Sequence, residues 1–488
     1  MDTRLNGQIP LFEFNDYAYS QMSVNGRIRK GNFKGRFEAN DPNLKFTFNG
    51  KASFGKDTST YNFVARVDTA DLFALNFTTD TVSRISAEMD IDFVALNYDK
   101  WQGTINITNT TFEKARNFYF FEDIRIESDG LDTNRSLKVR SNIMDADVSG
   151  NYTIAGIAKA FKYHVRKFIK SGKPMPEAPE GNFDFGITIK NTQILTEIFI
   201  PKLNIEPNSQ INGKYRSATR KLDIDLKSPG FEYDKNTVAA IDLQYDGTDS
   251  KSVLGFRIAG VELASGFEID SISLGNYYYR DTLFYNLRWI FRDSVDSRAS
   301  IGGYALQNDS MSFEFGIDSS RFNIGFQDFL IEDDNRIFLD SGGVHIEDLV
   351  ISNDDRYIII NGNLSDNPNE ILRLNLQGFG MELANYFIGS PEARFKGELY
   401  GDIIISQILG NPRFAADLSI DSLEMNNTLL GDFKAQSDWT YKDDTITLAA
   451  YLQLGELRTL DVKGYYQPDS LGSIDFDINF DQFRLAAL

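Results

Sequence analysis

"GELYGDIIISQILGNPRFAADLSI", residues 397–420, sets how the rest of the chain is read. Ile403 and Ile405 fall at alternate positions, and so, beyond a Gly-Asn-Pro turn, do Phe414, Ala416, Leu418 and Ile420. Side chains of a strand point alternately to its two faces. The spacing therefore predicts two strands, each apolar on one side, turned at Pro412. Something has to lie against that side, because apolar surface left in water is unfavourable.

The same pattern recurs along most of the chain. Leu44, Phe46, Phe48, Ala52 and Phe54 share one face, with Lys45, Thr47, Asn49 and Lys51 opposite. Leu222, Ile224 and Leu226 repeat it, as do Phe313, Phe315 and Ile317, then Leu372, Leu374 and Leu376. Near the end Ile474, Phe476, Ile478 and Phe480 alternate with Asp475, Asp477 and Asn479. Turn clusters such as "EDDNR", "SNDDR" and "YKDDT" separate the runs,. The spacing is too irregular for a short-period solenoid. Polar residues opposite the apolar ones imply antiparallel meanders with one wet face.

One segment is different. In "TIAGIAKAFKYHVRKFIKSG", Ile154, Ile157, Ala158, Phe161, Val165, Phe168 and Ile169 recur at helical spacing,. Thr153 is placed to cap the start, and Lys170, Gly172 and Pro174 to mark the end. The helix carries Lys159, Lys162, Arg166, Lys167 and Lys170 and no acid. Phe161, Val165, Phe168, Lys162 and Arg166 are its expected contact residues, either as a plug packed on the sheet or as a basic surface suited to anionic lipid. Residues 1–150 are expected as one β segment, 151–181 as helix and Pro-rich linker, and 182–488 as a continuing β segment. A shorter helix is expected in "MELANYFIG", near Leu383 and Phe387.

Composition narrows the function. The chain has 488 residues, 42% of them hydrophobic, with 39 Phe and 22 Tyr, which suit pleated, half-buried surfaces,. Against 50 basic residues stand 70 acidic ones, a net charge of -20 that argues against general nucleic-acid binding,. There are no cysteines, so thiolate metal sites and thiol nucleophiles are excluded,. No run of about 18 apolar residues is available for a membrane-spanning helix. Residues 1–16 lack the charged and apolar regions of a signal peptide, which places any export signal outside this sequence.

Chemistry-bearing motifs are few. The two histidines, His164 and His345, are far apart and outside any His-Glu-x-x-His pattern, and both read as surface or packing residues,. No nucleophile elbow, Walker loop or dinucleotide fingerprint is present. Asp145 with Asp147, and Asp475 with Asp477, lack the remaining spacing of an EF-hand loop. Asp333/Asp334, Asp354/Asp355 and Asp443/Asp444 read as solvated turns. No enzyme, metal or cofactor is expected. The residues leave three coverings for the apolar faces: a second sheet in a sandwich, lipid around a closed barrel, or a non-protein occupant in a trough.

Residues 63–150 resemble the middle of TamB-like proteins of Bacteroidota, members of the AsmA-like superfamily. The resemblance rests on "VDTADLFALNF", on "WQGTINITNTTFEKARNFYFFEDIRIES", and on "RSLKVRSNIMDADVSGNYTIAGIAKAFKYHVRKFI" with its Asp-x-Asp-x-x-Gly and helix. Residues 183–245 are similar to the next block of that family, and the 397–420 stretch matches its repeat phrase through Gly401, Ser406, Asn411 and Pro412. The resemblance implies a mainly β fold: an elongated β-taco, a curled, largely antiparallel sheet forming an apolar groove, with one amphipathic helix. It implies a periplasmic bridge between inner and outer membranes that transfers phospholipid or another acyl lipid. It also implies an Omp85-type outer-membrane partner, engaged through parts outside this sequence, whose assembly role is the alternative reading. The family's membrane anchor and partner-binding block are not seen, so the chain reads as a middle portion. An extracellular β-sandwich adhesin is a further alternative. The groove-lining residues expected are Phe46, Phe48, Phe54, Ile224, Leu226, Phe313, Phe315, Leu374, Leu376, Ile403, Ile405, Leu418, Ile420, Phe476 and Ile478.

Overall fold

The computed structural model describes residues 2–55, 57–80, 83–114, 117–168, 174–200, 202–264, 268–292, 296–308, 312–324, 327–383, 385, 394–409, 412–440, 445–467 and 473–481. Among them are 34 strands and two α-helices, and every strand pair with a traced register is antiparallel. The chain divides into two compact units, Met1–Lys167 with Met175–Ser271, and Phe168–Pro174 with Ile272–Leu488. Most of residues 151–181 thus belong to the first unit.

The first unit is a meander. Asp2–Phe14, Tyr17–Arg29, Asn32–Asp41, Leu44–Phe54, Ser59–Asp71, Ser83–Ala95 and Trp101–Lys114 pair in succession. Trp101–Lys114 is long enough to meet two short strands end to end, Asn117–Phe121 and Ile124–Asp129. The ladder continues through Arg135–Arg140, Met144–Asn151, Asn182–Ile189, Ser209–Arg216, Lys221–Tyr233, Asn236–Gly247 and Lys251–Glu262.

Helix α1, Ile154–Phe168, forms where the helical spacing predicts. The Thr153 hydroxyl accepts the Gly156 N–H at 2.9 Å, the side-chain cap that Thr supplies at an N-terminus,. Its buried face is rotated from the expected one. Gly156, Ala160, Tyr163 and His164 are buried, whereas Val165 is 56% exposed and Ile154 is also exposed. A Cβ at Gly156 would lie 3.9 Å from Pro179, so the segment after α1 covers that position, while the larger Ile154 and Val165 are left outward.

A second helix, α2, Gln193–Phe199, lies where the sequence suggested continuing strand. Ile194, Thr196 and Ile198 alternate as in a strand, yet the segment is helical, with Thr196 and Ile198 both buried. Thr192, at its start, makes no cap; its hydroxyl is donated to the Ile205 carbonyl.

The second unit runs from Ser271–Tyr279 and Thr282–Arg292 into Asp296–Gln307. That strand meets Phe313–Ile317 and Ser320–Ile324 end to end. Gln327–Ile331, Arg336–Asp340, Gly343–Asn353, Arg356–Leu364 and Ile371–Gly380 follow. Phe395–Ser406, Arg413–Met425, Thr428–Thr440, Thr445–Leu454, Leu457–Gln467 and Ser473–Phe480 complete it. Leu383 is buried within a single 3-10 turn, Met381–Leu383, while Phe387 lies outside the described residues. Asp443, Asp444, Lys170, Gly172 and Asn411 also lie outside them.

Candidate functional site: one apolar face in each unit

Residues directly opposite in a ladder share a face, so the register traces each face residue by residue. In the first unit Leu5 opposes Gly26, Gly26 opposes Gly35, and Gly35 opposes Gly50. The row passes to Phe63, Ile91, Ile105 and Ile126. From there it runs through Val139, Ala146, Ile187 and Ile211 to Leu226, Leu243 and Phe256. Every member is glycine or apolar, and every member is half-buried. One residue along each strand, the other face reads Arg4, Arg27, Lys34, Lys51, Asn62, Asp92, Thr104, Glu127, Lys138 and Asp147. The sheet is amphipathic across its whole width.

Two margins flank that strip. On one side Phe183, Tyr215 and Leu222 oppose one another and are almost fully buried. The Tyr215 hydroxyl donates to the Pro179 carbonyl at 2.9 Å, tying the segment after α1 to this margin. Helix α1 packs beside it. The Phe161 ring meets Phe185 edge-on at 5.4 Å, His164 Nδ1 is hydrogen-bonded to the Tyr245 hydroxyl at 2.8 Å, and Tyr163 donates to Asp249 at 2.6 Å. Burial pushes the Tyr245 phenol up to about 12, so it stays protonated and available to this bond. On the opposite side Leu75 closes over Tyr19, Met22, Ala39 and Ala70, with Phe46 and Val67 packed against them. The carbonyl of Ile198 in α2 accepts from Lys114 Nζ at 2.5 Å.

Beneath Tyr19 lies Asp41, almost wholly buried. Its carboxylate accepts from the Tyr17 hydroxyl at 2.6 Å, the Ser20 N–H and hydroxyl at 2.8 Å, and the Asn43 N–H at 2.9 Å. Burial alone would raise its pKa, but these donors outweigh burial and hold the carboxyl below its ordinary value,.

The second unit repeats the arrangement. Leu349, Ile360, Leu374, Ile403, Ala416, Ser437, Leu448, Gly464 and Phe476 form one row. The next row holds Ile351, Ile358, Leu376, Gly401, Leu418, Ala435, Ala450, Val462 and Ile478. On the reverse, Asn375 donates to Asp402 at 3.0 Å and Gln436 to Asp417 at 3.1 Å. A margin is again closed, by Ile420, Leu423, Leu430 and Leu452 with Met381 and Phe433.

The register thus places the expected lining residues on one face within each unit. Phe48 lies between Phe37 and Ala65, its ring 4.6 Å from that of Phe63. Ile224 opposes Gly213 and Tyr245, and Leu226 opposes Ile211 and Leu243. Phe313 and Phe315 stack at 6.2 Å and oppose Leu339 and Ile337. Ile405 lies between Leu372 and Phe414. Leu376 and Ile420 are buried, and Phe46 packs on a margin cluster. Phe54 and Ile478 are 62% and 51% exposed. On α1, Lys162 is exposed and Arg166 half-buried, and the Phe168 side chain lies outside what is described. Phe63, Ile91, Ile105, Ile126, Val139 and Ile187 were not singled out from sequence, although each sits in the same alternation.

The acid pairs considered for calcium are engaged otherwise. Asp145 pairs with Lys190 at 2.7 Å and Asp147 with Arg140 at 2.6 Å. Asp477 opposes Lys463. Among the described residues no group of three or more His, Asp or Glu side chains could hold a metal ion, and no helix is long and apolar enough to cross a membrane. His164 is a packing residue; His345 is hydrogen-bonded to Asn363 at 2.8 Å. No family model matches the chain, and no curated protein matches it in sequence.

Proposed function

We propose that this chain is a non-enzymatic conduit for phospholipid or another acyl lipid, with acyl chains lying along the apolar strip of each unit. The observation that carries the reading is the unbroken, half-buried apolar row from Leu5 to Phe256, backed by a charged and amide row. An acyl chain crossing water costs about 0.8 kcal/mol per exposed methylene, on the order of 10 kcal/mol for a whole chain. A strip one strand-spacing per step, over fourteen steps of about 4.8 Å, offers roughly 65 Å of apolar path along the sheet. No residue on it needs to react, because passage requires only that apolar contact is never interrupted. Headgroups remain in water.

Glycines set within the apolar rows accord with this reading. Gly50 and Gly401 belong to apolar rows, at φ +156° and +132°. A Cβ at either would meet the neighbouring strand's backbone, at 2.4 Å and 2.0 Å. Glycine kinks of this kind are positions at which a sheet can curve. The resemblance to TamB-like proteins supports placing the conduit in the periplasm of a diderm bacterium, between inner and outer membranes. An Omp85-type partner would act through parts beyond these residues.

A second reading is a scaffold for outer-membrane protein assembly. Strand Asp2–Phe14 is paired along one edge among the described residues and carries exposed Leu11, Phe12 and Phe14. Such an edge accepts an added strand. Photocrosslinking separates the two. The conduit predicts that a crosslinker at Ile126 or Ile403 captures lipid while one at Lys138 or Asp402, on the reverse face, does not. Protein adducts at Asp2–Phe14 with no lipid at Ile126 would favour the scaffold.

A further inference from the structure

Helix α1 is fixed in its rotation about its own axis. Gly156, Ala160, Tyr163 and His164 are buried on one side. The Tyr163 hydroxyl donates to Asp249, His164 is hydrogen-bonded to the Tyr245 hydroxyl, and Asp99 accepts the Ile154 N–H at 2.8 Å. What the helix presents away from the sheet then follows from its 3.6-residue turn.

Two stripes lie side by side there. Ile154, Ala158, Phe161 and Val165, at steps of four, three and four, form an apolar one,. Ile154 and Val165 are 53% and 56% exposed, Ala158 is exposed and Phe161 is half-buried. Lys159, Lys162 and Arg166, at steps of three and four, form a basic one, with both lysines exposed and Arg166 half-buried. No acid lies between residues 154 and 168, in a chain of net charge -20. Lysines on the strands, such as Lys34 and Lys51, share their face with the amides and acids of the polar rows. Those of α1 stand beside exposed apolar side chains on an element without acids.

The two stripes together narrow what can cover them. An apolar protein surface would bury the lysine charges, and a purely polar one would leave Ile154 and Val165 without apolar contact. The boundary of an anionic bilayer answers both, because hydrocarbon takes the apolar stripe while lysine stems lie along it and carry their charges to the headgroups. We propose that the outward side of α1 docks on an anionic lipid surface. Its axis lies in the membrane plane, Ile154, Ala158 and Val165 enter the acyl boundary, and Lys159 and Lys162 meet headgroup phosphates. Docking is argued from α1 alone, so it goes beyond the conduit reading and does not depend on it. Phe161, which meets Phe185 at 5.4 Å, joins the docked stripe to the margin of the first unit's apolar strip.

The test is sedimentation of the full chain with vesicles of phosphatidylcholine, and with vesicles of phosphatidylcholine mixed with phosphatidylglycerol. Wild type is compared with K159E/K162E, I154S/V165S and K34E/K51E. The last makes the same change of net charge on the strands, where Lys34 opposes Lys51. Wild type is expected to bind the mixed vesicles, not phosphatidylcholine alone, and to bind less as salt rises. K159E/K162E should weaken binding at least about tenfold and I154S/V165S about threefold or more, while K34E/K51E stays within about twofold of wild type. All six positions are exposed, and circular dichroism checks that strands and helix persist. No binding to mixed vesicles, equal loss in K34E/K51E, or full binding by I154S/V165S overturns the proposal. Binding of polyglutamate with none to vesicles also overturns it, in favour of an acidic protein partner. None of these substitutions touches the apolar rows, so lipid co-purifying with the chain reports on the conduit separately.

Discussion

Asp41 and Gly50 show how single positions support the amphipathic sheet. Asp41 is buried as an anion because four donors surround it, and its carboxyl is held below the ordinary value. A carboxyl with a depressed native pKa contributes stability that is present above its unfolded pKa of about 3.9 and is lost as pH falls through the native value. Asp41→Asn should therefore lower stability at neutral pH, by roughly 3 kcal/mol where the Tyr17 and backbone donors lose their charged acceptor. Urea titrations at several pH values should show the gap from wild type narrowing as pH drops below about 4. A gap that widens on acidification would contradict the account of Asp41. Gly50→Ala forces a Cβ against Asn62 and Phe63 at a φ that L residues rarely adopt, and should cost about 2 kcal/mol or more,. Gly7→Ala, where nothing lies within 4 Å, should be nearly neutral in the same denaturation assay.

At the scale of elements, much was legible and some was not. The turn at Pro412 and the facing of Ile403 with Ala416 and Ile405 with Phe414 follow from period-two spacing, which a pleated strand converts directly into a face. Helix α1 was equally legible as a helix, but not its buried face. Hydrophobicity pointed to Ile154 and Val165, whereas the buried positions are Gly156, Ala160, Tyr163 and His164, with Phe161 and His164 held by Phe185 and Tyr245. Helix α2 was hidden because Ile194, Thr196 and Ile198 mimic strand alternation. Ala160, fully buried, is the place to test α1. Ala160→Arg should undock the helix, costing about 1–3 kcal/mol from overpacking and charge burial. Hydrogen exchange should rise along residues 154–166 while the strands of the first unit stay protected. Simultaneous loss of protection in Asn182–Ile189 and Lys221–Tyr233 would mean that α1 is needed to hold the sheet.

Across the whole molecule, alternation specified strands and faces but not their covering. Sandwich, barrel and trough all use the same pattern of Phe46, Ile224 or Leu374. What the sequence could not display is that Phe63, Ile91, Ile105 and Ile126 fall directly opposite one another, since register depends on turn lengths and bulges such as the one between Val67 and Ala70,. The continuous rows emerge only from that register. The half-buried state of the first unit's row, between margins closed by Leu75 and α1, is the structural basis for proposing lipid as its occupant.

Native mass spectrometry of the purified chain, with extraction and identification of any bound lipid, tests that claim most directly. The conduit predicts co-purifying phospholipid whose signal falls several-fold in Ile187→Arg and in Ile403→Arg, with folding retained because both positions are half-buried, while Lys138→Glu on the reverse face keeps it. A lipid-free chain, or one whose Ile187→Arg and Ile403→Arg forms simply unfold, would contradict it.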